Sequence, residues 1–146
     1  MISNRRLAMA GLFAWTGLLA FSPLLDWKKQ GSGFTTQKKR GKLTVVYVGA
    51  EDCAPCLRWR NERRPDFKKS VAFERIDYRE IIATRLADAL DDKFWPDAMR
   101  PLRTLIEHDG GGVPYWILMR DGRIVTAAGG EKAWDRKVWP RIIMEV

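Results

Sequence analysis

Residues 43–56 read LTVVYVGAEDCAPC and carry the strongest structural signal in the chain. Its first part, residues 43–50, is a run of apolar and β-branched side chains that predicts a buried central strand. An acidic pair ends the run, and Cys53 and Cys56 follow at Cys-x-x-Cys spacing, opening a charged stretch that we expect to be helical. A cysteine pair between a buried strand and a helix is typical of dithiol redox sites.

The sequence that follows the cysteines predicts an alternation of helices and strands. We expect the first helix to run to about Arg64, because Pro65 ends or kinks a helix. The Asp121-Gly122 pair is the signal of a tight hairpin turn. The other predicted elements are a strand at 71–78, interrupted helices over 79–108, strands at 115–119 and 124–128, and a last helix over 131–146.

The 146 residues divide into three regions. Residues 1–25 are predicted to be a signal segment or a transmembrane anchor, because Arg5 and Arg6 precede an uncharged apolar run of spanning length. No convincing small-residue cleavage site follows, which favours an uncleaved anchor. Residues 26–42 are polar, basic and glycine-containing, and we interpret them as a linker. Residues 43–146 form one domain, large enough at about 100 residues to bury its own core.

The location of the domain follows from the same N-terminal run. Positive charges before an apolar segment are the ordinary form of an export signal, although basic residues also follow the run and leave the orientation open. We expect a periplasmic or otherwise extracytoplasmic domain held at the inner membrane.

The formal net charge of +8 invites a nucleic-acid interpretation, which the pattern of charges opposes. The basic clusters lie in the linker and around residues 58–64, and each is interrupted by a single aromatic residue, Phe34 or Trp59, rather than by the repeated aromatic side chains of a base-stacking surface. They fit a solvated linker near anionic lipid and an exposed helix face. We therefore expect a membrane partner and no nucleic-acid partner.

Two other roles are open to the cysteine pair. A zinc site needs four ligands, and His108 is the only histidine, at a spacing that fits no common pattern. A purely structural disulfide between Cys53 and Cys56 would close too short a loop to stabilise much. We favour dithiol redox chemistry with no cofactor and no bound metal. A binding module that uses the two cysteines for metal is the alternative.

From residue 43 onward the chain resembles the thioredoxin family. The resemblance rests on the order strand, Cys-x-x-Cys, helix, on the Asp-Gly hairpin, on Gly130 after the last strand, and on Gly112-Val113-Pro114. That last triplet is similar to the Gly-x-Pro loop of thioredoxins, whose proline is cis. The resemblance implies an α/β thioredoxin-like fold, in which helices flank a central mixed sheet and a helical insertion precedes the cis-proline loop.

The resemblance also implies roles for individual residues. Cys53, at the helix start, is expected to be the nucleophile because a helix N-terminus stabilises a thiolate, and Cys56 is expected to resolve the mixed disulfide. Val113 would offer backbone groups to a substrate peptide, and Pro114 would pack against the cysteines. The expected partners are protein thiols and disulfides, with a membrane thiol reductase as a possible electron donor.

Several residues depart from the family pattern. Asp52 replaces the tryptophan that precedes the first cysteine, and Tyr47 stands in place of a buried aspartate. The Cys-x-x-Cys pair followed by Trp59 resembles the same region of small thioredoxins that serve sulfur oxidation. The Ala54-Pro55 dipeptide resembles the reducing members of the family, and Pro55 has no N–H with which to stabilise a thiolate. The sequence therefore predicts a specialised relative that acts as a reductant of protein or small-molecule disulfides.

Overall fold

The structure is a computed structural model that describes residues 41–146, and its centre is strand β1 (Leu43–Ala50). β1 pairs in parallel with β2 (Ile76–Ala83) and antiparallel with β3 (Tyr115–Arg120), and β3 pairs antiparallel with β4 (Arg123–Gly129). The sheet order is β2-β1-β3-β4. This mixed sheet, with helices packed on it, confirms the predicted thioredoxin-like fold class and the buried central strand.

The predicted anchor at residues 1–25 and nearly all of the predicted linker at 26–42 lie outside the described residues. Within residues 41–146, no helix combines the length and the apolar character needed to cross a membrane.

Both faces of β1 are buried because its side chains alternate between two apolar clusters. Val45 and Tyr47 face one cluster, while Val46 and Val48 face the other. The first cluster also holds aromatic side chains from the helices after the cysteines and at the C-terminus: Trp59, Phe67, Trp134 and Trp139. The second holds side chains from residues 84–108: Trp95, Met99 and Ile106. Within residues 41–146, the tryptophans are thus mostly core residues.

The helix after the cysteines does not end at Pro65. It begins with α1 (Ala54–Arg58), widens into a π-helical turn (Trp59–Arg63) and continues as α2 (Arg64–Lys69). The widened turn leaves Pro65 in the first turn of α2, where a backbone N–H is not needed for an intrahelical bond. The prediction that the helix ends at Pro65 was therefore wrong, because the helix continues to Lys69. The π-helical turn lies just before the proline.

The C-terminal helix repeats this arrangement. A π-helical turn (Trp134–Val138) precedes α4 (Trp139–Glu145), and Pro140 stands in the first turn of α4. Val138 and Ile142 are fully buried against the sheet. The predicted last helix is confirmed, with Trp134 on its buried side.

The second strand begins later than predicted. The pattern at 71–78 was expected to be a strand, but β2 is Ile76–Ala83, because Ile76 is the residue that pairs with Leu43. β2 lies at an edge of the described sheet, where charged side chains such as Arg79 and Glu80 are tolerated and hide the strand in the sequence.

The region predicted as interrupted helices contains little α-helix. Only α3 (Arg103–His108) is α-helical, and His108 ends it as an exposed residue. The rest consists mainly of short 3₁₀ turns, because Pro96 and Pro101 interrupt any longer helix. These turns are Leu86–Asp88, Asp92–Phe94 and Asp97–Leu102.

The hairpin between β3 and β4 is confirmed. Asp121 and Gly122 both have positive φ, at 50° and 75°. This is the conformation that an Asp-Gly two-residue turn favours, since it matches the twist of the two strands.

Candidate functional site

The two cysteines lie where β1 leaves the sheet. Glu51 still donates its backbone N–H to the Ala83 carbonyl at 2.9 Å, so the ladder extends one residue past the strand. The chain then turns and Cys53 becomes the N-cap of α1, which brings it within 5.2 Å (Cα–Cα) of Cys56. The two residues are joined by a disulfide. A buried strand, a turn and a helix start thus place both sulfurs together.

Few groups are aimed at the Cys53 sulfur. The backbone N–H of Cys56 lies 3.3 Å from Cys53 Sγ, and Pro55 has no N–H to add. Arg58, whose positive charge could favour a thiolate, forms an ion pair with Glu131 at 2.6 Å. The hydrogen bond from Arg58 lowers the pKa of Glu131, so the carboxylate is ionised and offsets the guanidinium charge near the site.

The predicted substrate loop lies beside the cysteines. The Val113–Pro114 peptide bond is cis, as the resemblance implied. The Val113 carbonyl oxygen is 3.7 Å from Cys53 Sγ, and the Val113 side chain packs against the cysteine cluster. Pro114 is buried, and its carbonyl accepts the Gly130 N–H at 2.9 Å. The fold therefore brings Cys53, Cys56 and Val113 together, with Pro114 next to Val113 in the chain, while the roles of all four remain predictions.

Small apolar residues surround the disulfide. Ala50 and Ala83, paired at the ends of β1 and β2, pack against the cysteines together with Ala89, and Phe94 covers the group. Cys53 is 2% exposed and Cys56 is fully buried, so these neighbours enclose both cysteines.

Sequence reasoning missed the residues after β2 that close in on the disulfide. The Asp52 carboxylate accepts the backbone N–H of Leu86 at 2.6 Å, a contact that spans 34 positions. No spacing rule links these residues or places Ala89 beside Cys53. The one available signal was the acidic Asp52 directly before the first cysteine.

Tyr47 lies beneath the second cysteine. It is fully buried, stacks on Trp59 at 4.4 Å between ring centroids, and donates its hydroxyl to the Cys56 carbonyl at 3.5 Å. Burial raises the pKa of Tyr47 to about 12, against a smaller opposing effect of the Arg60 charge. Tyr47 is therefore a neutral hydrogen-bond donor at physiological pH and does not act there as a base.

No metal-binding group is found among the described residues: within 41–146, no three His, Cys, Asp or Glu side chains come together as ligands.

Comparisons with known proteins give structural similarity to thioredoxins. No family model matches the chain, and no curated protein matches it in sequence. Fasciola hepatica thioredoxin is 16% identical with a TM-score of 0.46, over 73% of this chain and 84% of that one. The periplasmic thioredoxin SoxS of Paracoccus pantotrophus is 17% identical with a TM-score of 0.48, over 70% and 94%. Malassezia sympodialis thioredoxin is 13% identical with a TM-score of 0.47, over 73% and 79%. Identities this low leave the chemistry to be judged from the residues of the chain itself.

The raised pKa of Tyr47 predicts a specific loss of stability at alkaline pH. Its phenol ionises near 10 when unfolded and near 12 when folded, so the stabilisation is complete below pH 10 and is lost as pH rises through 12. We expect the free energy of unfolding of Tyr47→Phe to fall by about 2–3 kcal/mol less than that of the wild type between pH 10 and pH 12. At pH 8 the variant should be only about 1 kcal/mol less stable, because it loses one hydrogen bond. Urea unfolding at several pH values measures both. An equally steep decline in the two proteins would contradict the assignment.

Proposed function

We propose that this protein is a thiol–disulfide oxidoreductase that works through the Cys53–Cys56 pair. The observation that carries the proposal is the position of the pair: Cys53 caps a helix at the end of a buried strand, directly beside the Val113 carbonyl. The helix start favours a thiolate, and the second sulfur lies one turn away, where it can displace a bound partner.

The reaction follows from these positions. The reduced Cys53 thiolate attacks one sulfur of a substrate disulfide, the substrate S–S bond breaks, and the released sulfur leaves as a thiolate that takes up a proton. Cys56 then loses its proton and attacks Cys53 Sγ, which releases the second substrate thiol and forms the protein disulfide. Two electrons pass to the substrate, and an external dithiol must return them.

Val113 and Pro114 are proposed to hold the substrate. An extended substrate peptide would pair with the Val113 backbone as an added strand does, and the sulfur of the peptide would then lie next to Cys53. The 3.7 Å distance between the Val113 oxygen and Cys53 Sγ supports this placement, because a peptide at the loop would lie against the sulfur. Protein disulfides are thus the favoured substrate class.

The proposed direction is reduction of substrates. A strong oxidant has a highly stabilised thiolate, and little here supplies one. Pro55 has no N–H, Arg58 is paired with Glu131, and the exposed acidic pair Glu51 and Asp52 opposes negative charge on Cys53. A less stabilised thiolate makes the couple more reducing.

Cysteine substitutions test the proposed function. Cys53→Ser should abolish exchange with disulfide substrates, because it removes the attacking sulfur. Cys56→Ser should still attack but should accumulate mixed disulfides through Cys53, because nothing resolves them. Non-reducing electrophoresis and mass spectrometry with a disulfide-containing protein distinguish the two outcomes.

The two variants control for each other, since these are the only cysteines in the chain. Turnover that survives in Cys53→Ser, or mixed disulfides that form through Cys56 instead, would overturn the assignment.

We further propose that the domain works outside the cytoplasm, held at the inner membrane by residues 1–25 and recharged by a membrane thiol reductase. The support is the uncharged apolar run behind Arg5 and Arg6. A reductant in an oxidising compartment needs such a donor, since its dithiol is otherwise consumed.

Fractionation tests the anchor. The full chain should sediment with membranes and resist a carbonate wash, while the chain without residues 1–26 should be soluble, because it lacks the apolar run. A full-length protein that remains in the soluble fraction, or a mature N-terminus near residue 23, would show that the segment is not an anchor.

A further inference from the structure

Residues 84–95, which we call the rim segment, cover one side of the disulfide. The segment follows β2 directly, and its Ala89 packs against the cysteines while its Phe94 lies over the same cluster. Cys53, the proposed nucleophile, is only 2% exposed in these surroundings. A partner sulfur must therefore approach Cys53 between the rim segment and the Val113 loop.

The rim segment is held by contacts within itself and by one hydrogen bond from α3. Trp95 Nε1 donates to the Ala89 carbonyl at 3.0 Å, and Arg103 donates to the Leu90 carbonyl at 2.7 Å. Arg85 adds an ion pair with Asp88 at 2.9 Å. The segment is thus held as a unit, and Leu90, Phe94 and Trp95 anchor it in the second apolar cluster. Its first turn, which lies nearer the cysteine loop, needs a contact of its own.

Asp52 provides such a tie. Its carboxylate accepts a hydrogen bond from the backbone N–H of Leu86 at 2.6 Å. Leu86 is the first residue of the 3₁₀ turn Leu86–Asp88, which leads to Ala89. Asp52 is bonded directly to Cys53, so this one hydrogen bond joins the nucleophile's loop to the rim segment. A carboxylate acceptor makes it stronger than a neutral hydrogen bond.

We propose that Asp52 is a positioning residue that holds the rim segment against the disulfide and so limits exchange at Cys53 to slender partners. A thiol or disulfide on an extended chain or a small molecule enters beside Val113. A sulfur set in a folded protein surface is obstructed until the rim segment moves. The inference rests on the proposed redox function and names the class of partner it accepts.

Two reductants of the same chemistry test the proposal on the purified full chain. Dithiothreitol is a slender dithiol, and reduced thioredoxin is a folded one. Each attacks Cys53 Sγ with a thiolate, breaks the Cys53–Cys56 bond, and closes its own disulfide with its second thiol, so two electrons pass in both cases. Rates are followed by alkylation and mass spectrometry. Dithiothreitol reduces the disulfide even if the protein is not an oxidoreductase, so the two proposals fail separately.

Two pairs of variants isolate the hydrogen bond. Asp52→Ala removes the acceptor, whereas Asp52→Asn keeps an acceptor oxygen and removes the charge. Leu86→Pro removes the donor, and Arg85 before it is already extended, at φ −126° and ψ 148°, as a residue before proline should be. Leu86→Ala is its matched control, since it keeps the N–H, and the Leu86 side chain is 48% exposed.

We expect Asp52→Ala and Leu86→Pro to raise the rate constant with reduced thioredoxin roughly tenfold, and that with dithiothreitol less than about twofold. Asp52→Asn and Leu86→Ala should stay near the wild-type ratio. The proposal is overturned if Asp52→Ala and Leu86→Pro leave the ratio of the two rate constants unchanged. It is also overturned if Asp52→Asn shifts the ratio as much as Asp52→Ala does, because charge rather than the hydrogen bond would then set access to Cys53.

Discussion

The burial of β1 on both faces is the constraint on which the rest of the domain depends. Val45 and Tyr47 require an apolar layer on one side and Val46 and Val48 require another, so helices must cover the sheet twice. The residues between β2 and β3 supply the second layer. Both faces of β1 are covered, so the cysteine loop that follows the strand lies at the C-terminal end of β1. The rim segment packs against the cysteines there.

Two widened helical turns shape the opposite layer and support the site from below. Each begins with a tryptophan, Trp59 in one and Trp134 in the other, and a proline follows each turn at the same spacing. The two rings meet edge to face at 5.1 Å, and Tyr47 stacks on Trp59. Aromatic side chains therefore pack beneath the cysteines. The polar group that contacts Cys56 from this layer is the neutral Tyr47 hydroxyl rather than a carboxylate.

Local patterns in the sequence predicted the parts of the fold that local physics decides. The apolar run of β1, the Asp121-Gly122 hairpin and the buried stripe of the last helix each carry their own signal, and so do the paired cysteines. The start of β2 was misplaced because its edge position admits charged residues and its register is set by pairing with β1. The contact of Asp52 with Leu86 depends on tertiary structure alone, so no local pattern predicts the rim segment.

The proposed function requires one chemical property, namely that Cys53 and Cys56 exchange as a single dithiol. Equilibration of the full chain in glutathione redox buffers, followed by alkylation and mass spectrometry, measures this property directly. We predict one two-electron transition, in which both thiols appear together, with a midpoint near or below roughly −250 mV. Alkylation of Cys53 and Cys56 that does not change with the glutathione redox ratio would contradict dithiol exchange. A midpoint near roughly −120 mV would contradict the proposed role as a reductant.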